Sequence, residues 1–256
     1  MKADNFVFQS YLNRIGYQGD TQADIATVTD MMRCQLCTVP FENIDVQAGK
    51  VVSLVPEEIV EKIINRNRGG YCYEVNAIFA MALQSIGIPY QFVAARPMLS
   101  PDESPKTHMA LVIRVNNEEW LCDLGFGCYG IREPMKLSLV DIEVKQHIDM
   151  FILSKTAEHE YLLKVLVNGE WINLYVFDIY PQKWIDFIPA NYFNSTHPDV
   201  IFVQKLFIVL HEPDGRKIFL GNSLKIIKNG IVEEQTLVQE DYKFILLNEF
   251  GLTLND

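Results

Sequence analysis

The sequence contains no apolar run approaching the roughly 20 residues that a membrane-spanning helix needs, so no membrane association is expected. Basic charge is also scarce. Lys and Arg number 22 against 33 Asp and Glu, a formal charge of −11, and a nucleic-acid partner is excluded because phosphate neutralisation needs a basic face. Cysteine is sparse and odd in number, five in 256 residues. The opening stretch MKADNFVFQSYLNRIGY lacks the apolar core and small-residue cleavage site of an export signal. Reduced thiols in the cytoplasm are therefore expected rather than a disulfide framework, and the sequon Asn194-Ser195-Thr196 is read as coincidence. Repeats, low-complexity tracts and long linkers are absent as well, which argues for one compact unit of two or three subdomains.

What is present is apolar mass, 49% of residues, and a change of period along the chain. The first third reads as helix. Thr21 is placed to cap a helix whose buried face would be Ile25, Val28, Met32 and Leu36, with Asp24 near the positive end of its dipole. A second helix is predicted over Pro56–Asn67, with proline early and Glu57 and Glu58 in its first turn. A third begins near Cys72 and ends before Gly87 and Pro89. From Tyr90 to about residue 185 the period falls to two, in runs such as YQFVAARP, HMALVIRV and EWLCDLGF. Asn168-Gly169, Asp214-Gly215 and Asn229-Gly230 read as hairpin turns, and Val238–Phe250 as a closing helix packing through Tyr242, Ile245, Leu246 and Phe250. The class is α+β.

The chemistry concentrates at Arg68-Gly69-Gly70-Tyr71-Cys72-Tyr73-Glu74, where a glycine turn delivers a cysteine to the first turn of an apolar helix. Free N–H groups there favour thiolate over thiol and can hold the oxyanion of an acyl intermediate. His108 heads a strand and supplies a base. Asp123 ends the next strand and can fix the imidazole. Each alone is more often structural; in this order they make a nucleophile, base and orienter.

Two other motifs are set aside. Gly125-x-Gly127-x-x-Gly130 has dinucleotide-fingerprint spacing, but Ile131-Arg132-Glu133-Pro134 opens no helix to receive a pyrophosphate. Cys34-x-x-Cys37 lacks the second pair that a zinc site needs, since Cys122 and Cys128 are too far apart in sequence. No metal is expected.

RGGYCYE (68–74), THMAL (107–111) and WLCDLGFG (120–127), with VPFENID (39–45) and NYFNSTHPDVIF (191–202), resemble the signature blocks of the arylamine N-acetyltransferase family, in the family's order. The resemblance implies a papain-like cysteine-enzyme architecture: a helical bundle over 1–87 carrying the nucleophile, a β-barrel over 88–190 carrying His and Asp, and an α/β lid over 191–256. It implies Cys72, His108 and Asp123 as a triad in a ping-pong reaction, in which the thiolate takes acetyl from acetyl-CoA and passes it to an arylamine, arylhydroxylamine or hydrazine. Thr107, Phe126 and Tyr71 would line the acceptor site. Ser104, Lys106, Gly127 and Phe193 would meet the coenzyme, which is a co-substrate and not a bound cofactor. Phe193 departs from the tyrosine of some relatives and cannot donate a hydrogen bond. Arg68 would pair with Glu42, beside Asn43, to brace the turn. A monomer or weak dimer is expected. A papain-like hydrolase or transglutaminase would share the order Cys, His, Asp, and a binding protein that merely sequesters aromatic ligands could share the fold.

Overall fold

The computed structural model describes residues 1–99 and 104–253. Of the loop expected before His108, residues 100–103 lie outside the described residues. Helices α1 (Phe8–Ile15) and α2 (Ile25–Thr38) open the chain. The cap of α2 is Asp24 rather than Thr21: its Oδ1 accepts the Thr27 N–H at 2.8 Å, so one carboxylate both satisfies an orphan donor and complements the dipole. Val28, Met32 and Leu36 are buried as the spacing predicts, and Ile25 is half-buried. Next come β1 (Phe41–Glu42), α3 (Ile44–Gln47) and α4 (Pro56–Val60). The last runs on as a π turn, Glu61–Asn65, so the helix predicted to Asn67 ends earlier and on a widened turn. Arg14 of α1 gathers the loose carbonyls of this region, donating to Thr38 O at 2.7 Å, Ile63 O at 2.8 Å and Arg68 O at 3.1 Å. Helix α5 (Cys72–Ser85) is buried at every position from Cys72 to Leu83, the signature of a core helix.

The period-two region forms β2 (Tyr90–Pro97), β3 (His108–Val115), β4 (Glu118–Cys122), β5 (Met135–Lys136), β6 (Val144–Gln146), β7 (Asp149–Ala157), β8 (Glu160–Val167) and β9 (Glu170–Asp178). They build one antiparallel sheet in the order β5-β4-β3-β2-β9-β8-β7-β6. The sheet curls, and a bridge from Val140 to Leu153 ties the segment after β5 to β7 near the opposite edge. The β8–β9 hairpin turns on Asn168 and Gly169 at φ 52° and 84°, the pair of positive values a type I′ turn requires.

Beyond this sheet lie α6 (Ile188–Thr196), α7 (Ile201–Gln204), β10 (Phe207–Glu212), β11 (Gly215–Leu220), β12 (Ser223–Lys228), β13 (Ile231–Thr236) and α8 (Tyr242–Phe250). Helix α8 starts later than predicted because Gln239–Asp241 form a 3₁₀ turn, and its Ile245, Leu246 and Phe250 pack with Ile208, Phe219 and Leu224. The second sheet runs β1-β10-β11-β12-β13. Strand β1, which bridges to Gly70 at Phe41, thus carries the segment lying against the Gly69-Gly70 turn into pairing with β10, Phe41 opposite Val209 and Glu42 opposite Ile208. The molecule is α+β. Among the described residues no helix is long and apolar enough to cross a membrane.

Candidate active site

The turn before α5 is held by close packing. Gly70 donates to Pro40 O at 3.2 Å and its carbonyl accepts from Glu42 N–H at 3.0 Å. A Cβ on Gly69 would sit 1.9 Å from Pro40 O, so glycine is required there by contact with the PFEN segment. Cys72 follows at the first position of α5, only 3% exposed. From the other side, a Cβ on Gly125 would lie 2.4 Å from the Cys72 Cα. The Gly125–Gly130 segment is a close-fitting turn that opens no helix, as its sequence indicated.

His108 begins β3 and Asp123 follows β4, its hydrogen-bonded neighbour in the sheet. The His108 Nε2 meets Asp123 Oδ2 at 2.7 Å, and both residues are buried. With Nε2 so engaged, Nδ1 is the ring nitrogen left open to another partner. Burial works against the imidazolium, but the Asp123 charge, its hydrogen bond and the bond to Cys72 outweigh it and push the His108 pKa up to about 10. Burial likewise opposes the Asp123 charge, yet His108, the Gly125 N–H and Asn76 hold its pKa below the usual carboxylate range. Asn76, one turn beyond Cys72 on α5, was not anticipated. Its Nδ2 reaches Met109 O at 2.8 Å and Asp123 Oδ1 at 3.3 Å, while its Oδ1 accepts the Leu124 N–H at 2.9 Å. The available signal was an amide four residues after the cysteine, on the same face of a helix and within its apolar stretch, residues 75–83.

Phe126 is half-buried beside the ring, its centroid 5.1 Å from that of His108 and 4.8 Å from that of Tyr175. Tyr175, another residue the sequence did not flag, is fully buried with its hydroxyl beside Asp123. Burial and that charge raise its pKa well above the ordinary value. The Thr107 carbonyl accepts from Tyr73 OH at 2.8 Å and Asn194 Nδ2 at 2.9 Å, so α5 and α6 together fix the backbone leading into His108. Tyr71 is fully buried and its hydroxyl bonds Asn191 and Ser195 of α6. That ring packs beneath α6, whose Asn191 and Ser195 take its hydroxyl. Gly127 has φ 84° and packs near Phe207. The Ser104 carbonyl accepts from Arg96, Lys106 pairs with Asp178, and half-buried Phe193 stacks on His197 at 4.5 Å.

Arg68 and Glu42 do pair, at 3.0 and 2.7 Å through Nε and Nη2. Asn43 donates to Phe202 O and Lys205 O at 2.7 and 2.8 Å and accepts the Phe207 N–H at 2.7 Å. The pair extends into a buried cluster that sequence reading missed: Lys62 lies 2.8 Å from Glu74, 2.6 Å from Asp45 and 3.7 Å from Glu42. Its one local signal was a glutamate three residues into α5, where a carboxylate reaches back to the N-cap.

A family model described as N-acetyltransferase matches residues 24–256. The chain is 29% identical over 255 residues to the arylamine N-acetyltransferase of Escherichia coli strain K12, covering 98% of this chain and 90% of that one. Its fold is similar to the solved structure of the arylamine N-acetyltransferase from Salmonella typhimurium, with a TM-score of 0.92 and 26% identity over 97% of this chain and 92% of that one. It is also similar to the Mycobacterium marinum enzyme in complex with CoA, with a TM-score of 0.89 and 27% identity over 96% and 92% of the two chains.

Proposed function

Since the chain belongs to the arylamine N-acetyltransferase family, we propose that Cys72 takes acetyl from acetyl-CoA and passes it to the nitrogen of an arylamine, arylhydroxylamine or hydrazine. The observation that carries this reading is the convergence of the buried Cys72, His108 and Asp123 at the start of α5, with His108 and Asp123 2.7 Å apart.

In the first half-reaction the Cys72 thiolate adds to the thioester carbonyl. The helix-start N–H groups stabilise the oxyanion, the bond to the CoA sulfur breaks, and the protonated His108 returns a proton to the departing thiolate. Exchange of one thioester for another is nearly isoenergetic. In the second half the amine nitrogen attacks the acetyl-Cys72 carbonyl, His108 accepts the amine proton, and the Cys72 sulfur leaves. A weakly basic aryl amine is neutral at pH 7 and keeps its lone pair for this step. Asp123 keeps the ring oriented throughout and stabilises the imidazolium before the first half-reaction and after the second.

Phe126 and Thr107, adjoining the His108 ring, would line the acceptor site, with Tyr71 shaping it from behind through α6. Ser104, Lys106, Gly127 and Phe193 would face CoA, and Lys106 would have to exchange Asp178 for a phosphate oxygen. Arg68, Glu42 and Asn43 brace the turn that presents the nucleophile. The nucleophile on a helix start opposite a sheet-borne His and Asp suits a papain-like arrangement, divided as a helical unit 1–87, a barrel unit 88–190 and a lid 191–256. The enzyme would work in the cytoplasm as a monomer or weak dimer.

Incubation with acetyl-CoA and no amine, followed by mass spectrometry, tests the reading. Acetyl on Cys72, absent from Cys72→Ala, is expected. No label on wild-type Cys72 would overturn it, and cleavage of peptides without CoA would point to a hydrolase instead.

A further inference from the structure

Lys62 lies on the π turn that ends α4, 7% exposed, and makes none of the contacts expected of a surface lysine. Its ammonium bridges Glu74 on α5, Asp45 on α3 and Glu42 on β1. Glu74 is the informative partner. Its Oε1 takes Lys62 at 2.8 Å while its Oε2 accepts the Tyr71 N–H at 3.0 Å, so one carboxylate joins Lys62 to the backbone immediately before Cys72. Gly70 is forced to be glycine by the same group, since a Cβ there would lie 2.7 Å from Glu74 Oε2.

We infer that Lys62 is a positioning residue for Cys72: it neutralises and anchors Glu74, the carboxylate that caps the helix start presenting the thiol. The inference rests on the reading of Cys72 as the nucleophile.

Charge accounting supports it. Three carboxylates, Glu42, Asp45 and Glu74, face two cations, Lys62 and Arg68, leaving one net negative charge under the helix start. Without Lys62 a second net negative charge appears, which disfavours a thiolate, or Glu74 takes up a proton and its grip on the cap changes. Burial pushes Glu74 up to about 7 even with Lys62 beside it, opposed by that ammonium and by the Tyr71 hydrogen bond and aided by Glu42. A buried carboxylate that loses its cation is strongly penalised, whereas a glutamine amide can accept the same N–H with no charge to neutralise.

The test is the pH profile of Cys72 alkylation by iodoacetamide, which needs no acetyl transfer, read beside single-turnover acetylation by acetyl-CoA in Lys62→Met, Glu74→Gln, Glu74→Ala and the double variant Lys62→Met/Glu74→Gln. Lys62→Met is expected to alkylate about tenfold more slowly at pH 7, with its profile displaced upward by about one pH unit. Glu74→Gln, which keeps the cap and removes a negative charge from the cluster, is expected to alkylate no more slowly than wild type, and Glu74→Ala, which loses the cap, to alkylate more slowly. The double variant returns to within about threefold of wild type, since its net charge and cap are both restored. A folded Lys62→Met whose profile overlies that of wild type would overturn the inference, as would a double variant as slow as Lys62→Met. Should Lys62→Met alone not fold, the double variant decides: an alkylation rate within about threefold of wild type supports the inference, and a rate about tenfold slower, or a double variant that does not fold, sinks it. Absence of acetylation with these alkylation differences intact would condemn the proposed reaction and leave the role of Lys62 standing.

Discussion

At His108 burial and charge pull against each other, and charge prevails. The ring holds its proton up to about 10 in the folded chain, against about 6.5 unfolded. A group that binds its proton more tightly when folded stabilises the fold fully below its unfolded pKa and loses that contribution as pH rises through the folded value. The stability advantage of wild type over His108→Gln, measured by urea unfolding, is therefore expected to shrink between about pH 6.5 and 10; an advantage constant over that span would contradict the ion pair. Asp123 is the counterpart, and its value lies in orientation as much as charge. Asp123→Asn keeps an acceptor for the Gly125 N–H but no longer stabilises the imidazolium. Acetylation of Cys72 should fall by about 10³-fold or more with the circular dichroism spectrum unchanged, and a near-normal rate would remove Asp123 from the triad.

Among the elements, the two-residue strand β1 does more than its length suggests, because Asn43 just after it satisfies two carbonyls and one N–H of the segment leading into β10. Asn43→Ala would leave the Lys205 carbonyl and the Phe207 N–H without this partner, while the Phe202 carbonyl keeps the Gln47 amide. At about 1–3 kcal/mol for each unsatisfied buried group, a loss of about 3 kcal/mol in urea-unfolding stability is expected after partial hydration, and a loss under about 1 kcal/mol would mean that water replaces the side chain. This part of the fold was not legible in the sequence: two residues carry no periodicity, and their partner strand lies far along the chain. Helix α5 and strands β2 to β4 were legible, because apolar spacing and turn residues specify them locally and their ends carry Cys72, His108 and Asp123. Asn76 and Lys62 were not. Each acts across elements, and Lys62 points inward from a π turn that no helical template anticipates. The Thr21 cap failed for a simpler reason: Asp24, nearer the apolar stripe, is the better acceptor.

At the scale of the molecule, the two sheets meet through a buried charged joint. Arg216 of β11 grips Asp149 of β7 through both terminal nitrogens at 2.8 and 3.0 Å. Arg132, from the segment following the Gly125–Gly130 turn, reaches the same carboxylate at 3.5 Å and donates to the carbonyls of Glu212 and Gly215 at the β10–β11 hairpin. All three side chains are buried. Asp149→Asn would leave two buried guanidinium groups without the carboxylate they share, a loss of about 3–5 kcal/mol. The location of the loss distinguishes a joint from general stabilisation. If the network fastens the small sheet to the large one, hydrogen exchange in Asp149→Asn should accelerate first in β10, β11 and β12, while amides in β2 and β3, beneath α5, stay protected to near the new global stability. Even acceleration across both sheets would mean that they open as one unit, and the charged network would then stabilise the whole fold without acting as a joint.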